Sequence, residues 1–166
     1  MPKRPLLVTI GVYGWSARAF FAALEEAGVE LLVDLRRRRA VRGSELAWAN
    51  AARLQAELGR HDIDYAHRLD LAPSTAMLKA QHAVDKAAGL RFRDREELSR
   101  DYVRDFERTI LAELDASALA QSFGAARTVA LFCVEGRPDA CHRALVARRL
   151  HAELGLPVKH LLPAQT

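Results

Sequence analysis

Five short apolar runs divide the chain, and each has the length of a β-strand. They cover residues 6–10, 29–35, 63–68, 128–134 and 157–162. Most of these runs are continuously apolar, which is typical of strands buried on both faces of a parallel sheet. The run over residues 63–68 instead alternates between apolar and polar residues. We therefore expect this strand to lie at an edge of the sheet or to have one exposed face.

Apolar residues at helical spacing fill the intervals between the predicted strands. Ser16 is placed to cap the first helix, and Gly28 is placed to end it. Further helices are predicted over residues 46–58, 75–88, 98–114, 116–123 and 138–155, the last with Pro138 and Asp139 in its first turn. This alternation predicts one α/β domain over residues 1–166. Its five-stranded, mostly parallel sheet would be flanked by helices in the three-layer arrangement of flavodoxin and Rossmann folds.

Composition and charge set broad limits on location and partners. The chain has 166 residues and a formal net charge of +4, which suits either a small anionic molecule or nucleic acid as a partner. No apolar run has the length of a membrane span, so we expect no membrane partner. The amino-terminal residues lack a signal-peptide pattern, so we expect a cytoplasmic location. Two cysteines in a reducing compartment are thiols, metal ligands or a redox pair.

Polar residues occur where the predicted strands end, and ligands of open parallel sheets bind beyond the carboxyl ends of the strands. The residues at these ends are Thr9, Gly11, Asp34, Arg36, His67, Cys133 and Glu135. Cys141, His142 and Arg143 follow the fourth strand and open the last helix. Because helix N-termini attract anions and lower thiol pKa values, we predict a functional site at this edge.

Several segments at these strand ends form a recognisable set. They are Thr9-Ile10-Gly11, Val33-Asp34-Leu35-Arg36, Ile63-Asp64-Tyr65-Ala66-His67, Leu131-Phe132-Cys133-Val134-Glu135, Cys141-His142-Arg143 and Val158-Lys159-His160-Leu161. In this order, the set resembles the domain of unknown function 488 family of small bacterial and archaeal proteins. The resemblance covers nearly the whole chain and carries no established activity. It implies that the signature positions are Asp34, Arg36, Cys133, Glu135, Cys141, His142 and Arg143.

Two segments depart from the pattern of that family. Family members often have His-Ser after the first strand, where this chain has Val-Tyr-Gly-Trp-Ser at residues 12–16. A Pro-rich, Arg-containing stretch usually follows the second strand, where this chain has Arg-Arg-Arg-Ala-Val-Arg-Gly at residues 37–43. We therefore expect the loops after these two strands to differ from those of other members.

The leading hypothesis is an enzyme that acts on a small anionic or phosphorylated compound, such as a nucleotide derivative. Arg36 and Arg143 would hold the anion, and Cys133 would be the nucleophile or redox thiol. Asp34 or Glu135, together with His142, would transfer protons. The predicted catalytic residues are thus Cys133, Asp34, Glu135 and His142. The predicted substrate-binding residues are Thr9, Gly11, Arg36, His67, Cys141 and Arg143.

Structural roles are the alternatives for the same residues. Cys133 can be a buried packing residue, because free cysteine is among the most buried residue types. Asp34 and Arg36 share one side of a strand, where either can form an ion pair with a neighbour. A Cys-x5-Arg phosphatase loop starting at Cys133 would need arginine where Asp139 stands, which argues against tyrosine-phosphatase chemistry.

Two other functions use different parts of the chain. A nucleic-acid-binding accessory protein would use the basic loop, residues 37–42, with Arg148 and Arg149 of the last helix. A metal- or redox-sensing module would use Cys133, Cys141 and His142. We assign no metal ligands from the sequence, because a fourth ligand is not evident and paired Cys-x2-Cys spacing is lacking. The sequence names no cofactor and no oligomeric state.

Overall fold

Five strands form a single parallel sheet in the computed structural model, which describes residues 4–164. They are β1 (Leu6–Ile10), β2 (Leu31–Asp34), β3 (Asp64–His67), β4 (Thr128–Phe132) and β5 (Val158–His160). Their order is β3-β2-β4-β1-β5, and every neighbouring pair is parallel. The predicted α/β fold is therefore confirmed. Residues 1–3, on which the signal-peptide expectation partly rests, lie outside the described residues.

In the part of the chain that the structure describes, six α-helices flank the sheet. They are α1 (Ala17–Glu26), α2 (Ala51–Arg60), α3 (Thr75–Ala87), α4 (Arg100–Thr109), α5 (Ala116–Ser122) and α6 (His142–Leu154). Short 3-10 turns cover Ser44–Ala49, Leu69–Leu71, Phe92–Asp94, Leu111–Glu113 and Pro138–Ala140. Within residues 4–164, none of the helices combines the length and apolar character needed to cross a membrane.

Two hydrophobic cores lie on opposite faces of the sheet, because successive strand residues point to opposite sides. Val33 and Leu131 belong to the core that includes residues of α3, α4, α5 and α6. Leu32 and Phe132 belong to the core that includes residues of α1 and α2. This is the predicted three-layer arrangement. It places the strands' carboxyl ends between the two helical layers.

The position of β3 agrees with its alternating sequence. β3 is the edge strand next to β2, and none of its four residues is fully buried. β4 lies between two neighbours and is buried throughout, as its continuous apolar run predicts. The residues that follow β4 therefore start from the interior of the fold.

The predictions of one continuous helix over residues 46–58 and another over residues 98–114 are wrong, because each range is divided into a 3-10 turn and an α-helix. Asn50 has an extended backbone, and its side chain accepts a hydrogen bond from the Val41 backbone N–H at 2.7 Å. This separates the Ser44–Ala49 turn from α2. The helix predicted over residues 98–114 is divided in the same way. Ser99 caps the start of α4, which ends at Thr109, and a separate 3-10 turn covers Leu111–Glu113. The Thr109 hydroxyl donates to the Asp105 carbonyl at 2.6 Å.

The start of the last helix also differs from the prediction. Pro138 and Asp139 lie in a separate 3-10 turn, and Cys141 has extended backbone angles of φ −139° and ψ 144°. α6 therefore begins at His142, with Cys141 as its N-cap residue. The change places the Cys141 thiol at the positive end of the helix instead of inside its first turn.

Candidate functional site

Two cysteines and a histidine meet beyond the carboxyl end of β4. Cys133 follows the strand, Cys141 caps α6 and His142 is the first residue of that helix. One ligand atom from each of the three residues, two sulfurs and a ring nitrogen, lies within 4.8 Å of the others. Each residue is at most 4% exposed. We call these three residues the Cys-Cys-His cluster.

The ring of His142 has a defined orientation. Its Nε2 lies 2.8 Å from the backbone carbonyl oxygen of Leu35, just after β2. A carbonyl oxygen only accepts, so Nε2 carries a hydrogen and donates it. Nδ1 lies 3.7 Å from the sulfur of Cys133 and 3.8 Å from the sulfur of Cys141, and the Cys133 sulfur also lies 3.9 Å from Nε2. The backbone after β2 thus holds the His142 ring beside the two thiols.

The two thiols are not electrostatically equivalent. Burial raises the pKa of the Cys133 thiol well above its usual value. Burial acts in the same direction on Cys141, but a hydrogen bond with Cys133 and the positive charge of His142 hold the pKa of Cys141 well below its usual value. Burial lowers the pKa of His142, and the neighbouring Cys141 raises it overall. Cys141 is therefore the favoured thiolate, and the Arg143 backbone N–H donates to its sulfur at 3.5 Å.

A buried ion-pair network adjoins the cluster at Glu135. Arg95 donates to Glu135 Oε1 and to Asp85 Oδ2, each at 2.7 Å. The other oxygen, Oε2 of Glu135, lies 3.4 Å from the sulfur of Cys133. Burial raises the pKa of Glu135 to about 7. Arg95 and Asp85 were missed from the sequence, where nothing distinguishes Arg95 from other charged residues around it.

Arg143 supports the loop that carries Glu135. Its NH1 donates to the Glu135 carbonyl, and its NH2 donates to the Gly136 carbonyl at 3.1 Å. Gly11 lies against the same loop, where a Cβ atom would be 1.9 Å from the Glu135 carbonyl oxygen. Both residues, predicted to bind substrate, thus contact backbone. Within residues 4–164, Nε of Arg143 is buried without a hydrogen-bond partner.

Asp34 and Arg36 form a buried pair with each other. Arg36 Nε donates to Asp34 Oδ1 and NH2 donates to Oδ2, both at 2.9 Å. NH1 of Arg36 donates to the Ala49 carbonyl at 2.8 Å, and the Tyr65 hydroxyl donates to Asp34 Oδ2 at 2.6 Å. Both charged residues are at most 2% exposed. The structural alternative placed either residue in an ion pair with a neighbour across the sheet end, whereas here Asp34 and Arg36 pair with each other.

The remaining predicted site residues lie along the same edge but contact other neighbours. Thr9 Oγ1 lies 2.6 Å from His160 Nδ1, across the β1–β5 pair. His67 Nε2 lies 2.8 Å from the Arg36 carbonyl oxygen and donates to it. The structure therefore brings Cys133, Cys141, His142 and Glu135 together, and Arg143 holds the backbone of the loop that carries Glu135. Thr9 and His67 contact other residues and not this group.

The basic loop, residues 37–42, has both packed and exposed arginines. Arg37 donates to the Pro73 carbonyl at 2.5 Å, and Arg39 donates to the Tyr65 hydroxyl at 3.3 Å. Arg38 and Arg42 are exposed. In α6, Arg149 pairs with Glu153, whereas Arg148 is exposed. The exposed arginines leave nucleic-acid binding as a prediction.

A groove of about 680 Å³ lies elsewhere, between α1 and α2, and none of the predicted site residues lines it. His61 lies at this groove, with Nδ1 paired to Glu25 and Nε2 3.4 Å from a carboxylate oxygen of Glu57. Its ring stacks on Phe21, with centroids 5.4 Å apart. The hydrogen bond to Glu25 raises the pKa of His61.

This pairing of His61 predicts a pH-dependent contribution to folding. Because the folded-state pKa is raised, the contribution is fully present below the unfolded value of about 6.5 and is lost as pH rises through the folded pKa. We expect His61→Gln to lower the free energy of unfolding more at about pH 5.5 than at about pH 8.5. Urea denaturation of both proteins at the two pH values measures this. Equal destabilisation at both would contradict the assignment.

Comparison with known proteins identifies the family. The family model described as "Domain of unknown function DUF488" matches residues 16–150. That range includes β2, β3, β4 and the Cys-Cys-His cluster, whereas β1 and β5 lie outside it. No curated protein matches the chain, and no solved structure matches it. The match covers well over half of the chain and confirms the resemblance noted from the sequence, so this chain belongs to the family described as "Domain of unknown function DUF488".

Proposed function

We propose that this chain binds a single thiophilic divalent metal ion, with Zn²⁺ as the preferred ion. The ligands would be the sulfurs of Cys133 and Cys141 and Nδ1 of His142. The observation that carries the proposal is the buried convergence of two sulfurs and a histidine nitrogen, in which Nδ1 of His142 lies 3.7 and 3.8 Å from the two sulfurs. Tetrahedral zinc, with Zn–S of about 2.3 Å and Zn–N of about 2.0 Å, separates sulfur and nitrogen ligands by about 3.5 Å.

The hydrogen bond behind His142 supports the same proposal. Metal-bound histidines almost always donate their second ring N–H to a carboxylate, a backbone carbonyl or water. The Leu35 carbonyl supplies that partner here at 2.8 Å. The low pKa of Cys141 favours the thiolate that a metal requires, and metal binding would displace the proton from Cys133 and the second ring proton from His142, whose pKa is raised.

Burial favours an ion over the organic substrate of the leading sequence hypothesis. The three ligand residues are each at most 4% exposed, so a small ion suits the cluster better than an organic anion. The two arginines predicted to hold an anion are occupied by Asp34 and by backbone carbonyls. An enzyme, a nucleic-acid-binding role and reversible oxidation of the two thiols stay predictions.

Cobalt titration of the full chain tests the ligand set. We expect one Co²⁺ per chain, with thiolate-to-cobalt charge-transfer absorption and the visible bands of a tetrahedral ion. Cys133→Ser, Cys141→Ser and His142→Gln should each weaken binding by more than the roughly 100-fold that loss of an outer hydrogen-bond partner can cost. His61→Gln is the matched histidine control and should bind normally. Unchanged binding in the three ligand variants would refute the proposed site.

A further inference from the structure

The two oxygens of the Glu135 carboxylate have different surroundings. Oε1 accepts a hydrogen bond from Arg95 NH2 at 2.7 Å. Oε2 lies 3.4 Å from the sulfur of Cys133 and is directed toward the Cys-Cys-His cluster. Glu135 is only 7% exposed, so its carboxylate interacts with these protein groups and not with solvent. One oxygen is therefore anchored, and the other is presented to the cluster.

Arg95 fixes the anchored oxygen relative to two other parts of the fold. Besides Glu135, it donates to Asp85 Oδ2 in α3 at 2.7 Å and to the Ala140 carbonyl at 3.1 Å. Ala140 directly precedes Cys141, so the same guanidinium holds the Glu135 loop and the residue before a proposed ligand. Gln81 donates to the second oxygen of Asp85 at 3.0 Å, which orients that carboxylate in turn.

We propose that Glu135 Oε2 is the fourth ligand of the ion, and that Arg95 is the positioning residue that directs it there. This inference rests on the proposed metal site. Closed zinc sites are four-coordinate, and the Cys-Cys-His cluster supplies only three ligands. With Zn–O of about 2.1 Å, tetrahedral geometry separates sulfur and oxygen ligands by about 3.6 Å, close to the 3.4 Å between Cys133 and Glu135.

Coordination would require the Glu135 side chain to move toward the Cys-Cys-His cluster. It is not one of the three residues whose ligand atoms all lie within 4.8 Å of one another. Its Oε2 would turn toward Cys141 and His142 while Oε1 keeps its bond to Arg95. Two thiolates and a carboxylate around a divalent ion leave one net negative charge, and the Arg95 guanidinium, which also pairs with Asp85, lies next to it. A carboxylate ligand would also exclude water from the fourth position.

Anion binding to the cobalt-loaded chain tests whether the fourth position is closed. We expect azide to leave the visible spectrum of the wild-type cobalt protein unchanged. Glu135→Gln should bind Co²⁺ roughly 10- to 100-fold more weakly, and its spectrum should shift when azide enters the open position. Glu96→Gln, the same substitution at an exposed residue, is the matched control and should behave as wild type.

Substitution of Arg95 tests its positioning role. Arg95→Lys keeps the charge but cannot donate to Asp85, Glu135 and Ala140 together. We expect it to bind Co²⁺ with an azide-sensitive spectrum, a signature that a merely structural role would not produce. Glu135→Asp retains the carboxylate but shortens its reach, so it replaces Glu135→Gln if that variant does not fold.

The outcomes separate the two proposals. A wild-type chain without a tetrahedral cobalt spectrum would overturn the metal site and this inference together. A normal wild-type spectrum, with unchanged affinity and no azide response in the folded Glu135 variants, would overturn only the fourth ligand. If the Glu135 variants bind Co²⁺ more weakly and respond to azide as expected, but Arg95→Lys behaves as wild type, the positioning role of Arg95 would be overturned.

Discussion

Removal of the bound ion by a chelator is expected to lower the melting temperature of the full chain by roughly 10 °C. A ligand that binds only the folded state stabilises it by about 4 kcal/mol when its free concentration exceeds the dissociation constant about 1,000-fold. The proposed ligands come from the end of β4 and the start of α6, and the Leu35 carbonyl links them to β2. The ion would therefore tie together elements that separate on unfolding.

Thermal unfolding with excess Zn²⁺ or with chelator measures this effect. Cys141→Ser should melt at the same temperature in both conditions, because it lacks one of the proposed ligands. His61→Gln should keep the full zinc-dependent increase, since His61 lies at the groove between α1 and α2. A wild-type melting temperature that does not respond to zinc would contradict metal-linked folding.

Asp34→Asn is expected to lower the free energy of unfolding by about 3–5 kcal/mol. The substitution leaves the Arg36 guanidinium buried without its counter-charge, and arginine does not lose its proton inside proteins. The guanidinium would keep its hydrogen bond to the Ala49 carbonyl, but its two hydrogen bonds to the Asp34 carboxylate would be lost or weakened. Urea denaturation of wild-type and variant chains gives the difference directly.

An exposed pair of the same kind provides the control for Asp34. Arg68 donates two hydrogen bonds to Asp70, at 2.8 and 2.7 Å, but both side chains contact solvent. Asp70→Asn should therefore cost at most about 1 kcal/mol. If the two substitutions destabilised the chain equally, burial would not be what makes the Asp34–Arg36 pair important. A large cost at Asp34 alone would support its structural role.

The sheet was predictable from the sequence because its strands have strong local patterns. The run Thr128–Phe132 is apolar at most positions because it is buried on both faces, and the alternation around Tyr65 matches an edge strand. The interruption at Asn50 was not predictable, because it depends on a hydrogen bond with Val41, nine residues away. Apolar spacing continues across Asn50 and gives no sign that the backbone becomes extended.

The site was predictable only in part. The convergence of Cys133, Cys141 and His142 follows from a strand that leads directly into a helix. The role of Arg95 depends on contacts with residues 40 and 45 positions later in the chain. No local pattern specifies such contacts. An ion pair at Asp34 or Arg36 was expected from the sequence as a structural alternative, but the pairing of these two residues with each other was not.

Metal stoichiometry of the purified full chain tests the central claim most directly. Native mass spectrometry after exposure to Zn²⁺, without an affinity tag that contains histidine, counts the ions held by each chain. We predict one zinc ion in the wild-type chain and none in the Cys133→Ser/Cys141→Ser variant, with both proteins folded by circular dichroism. A metal-free wild-type chain, or equal zinc content in the two proteins, would contradict the proposal.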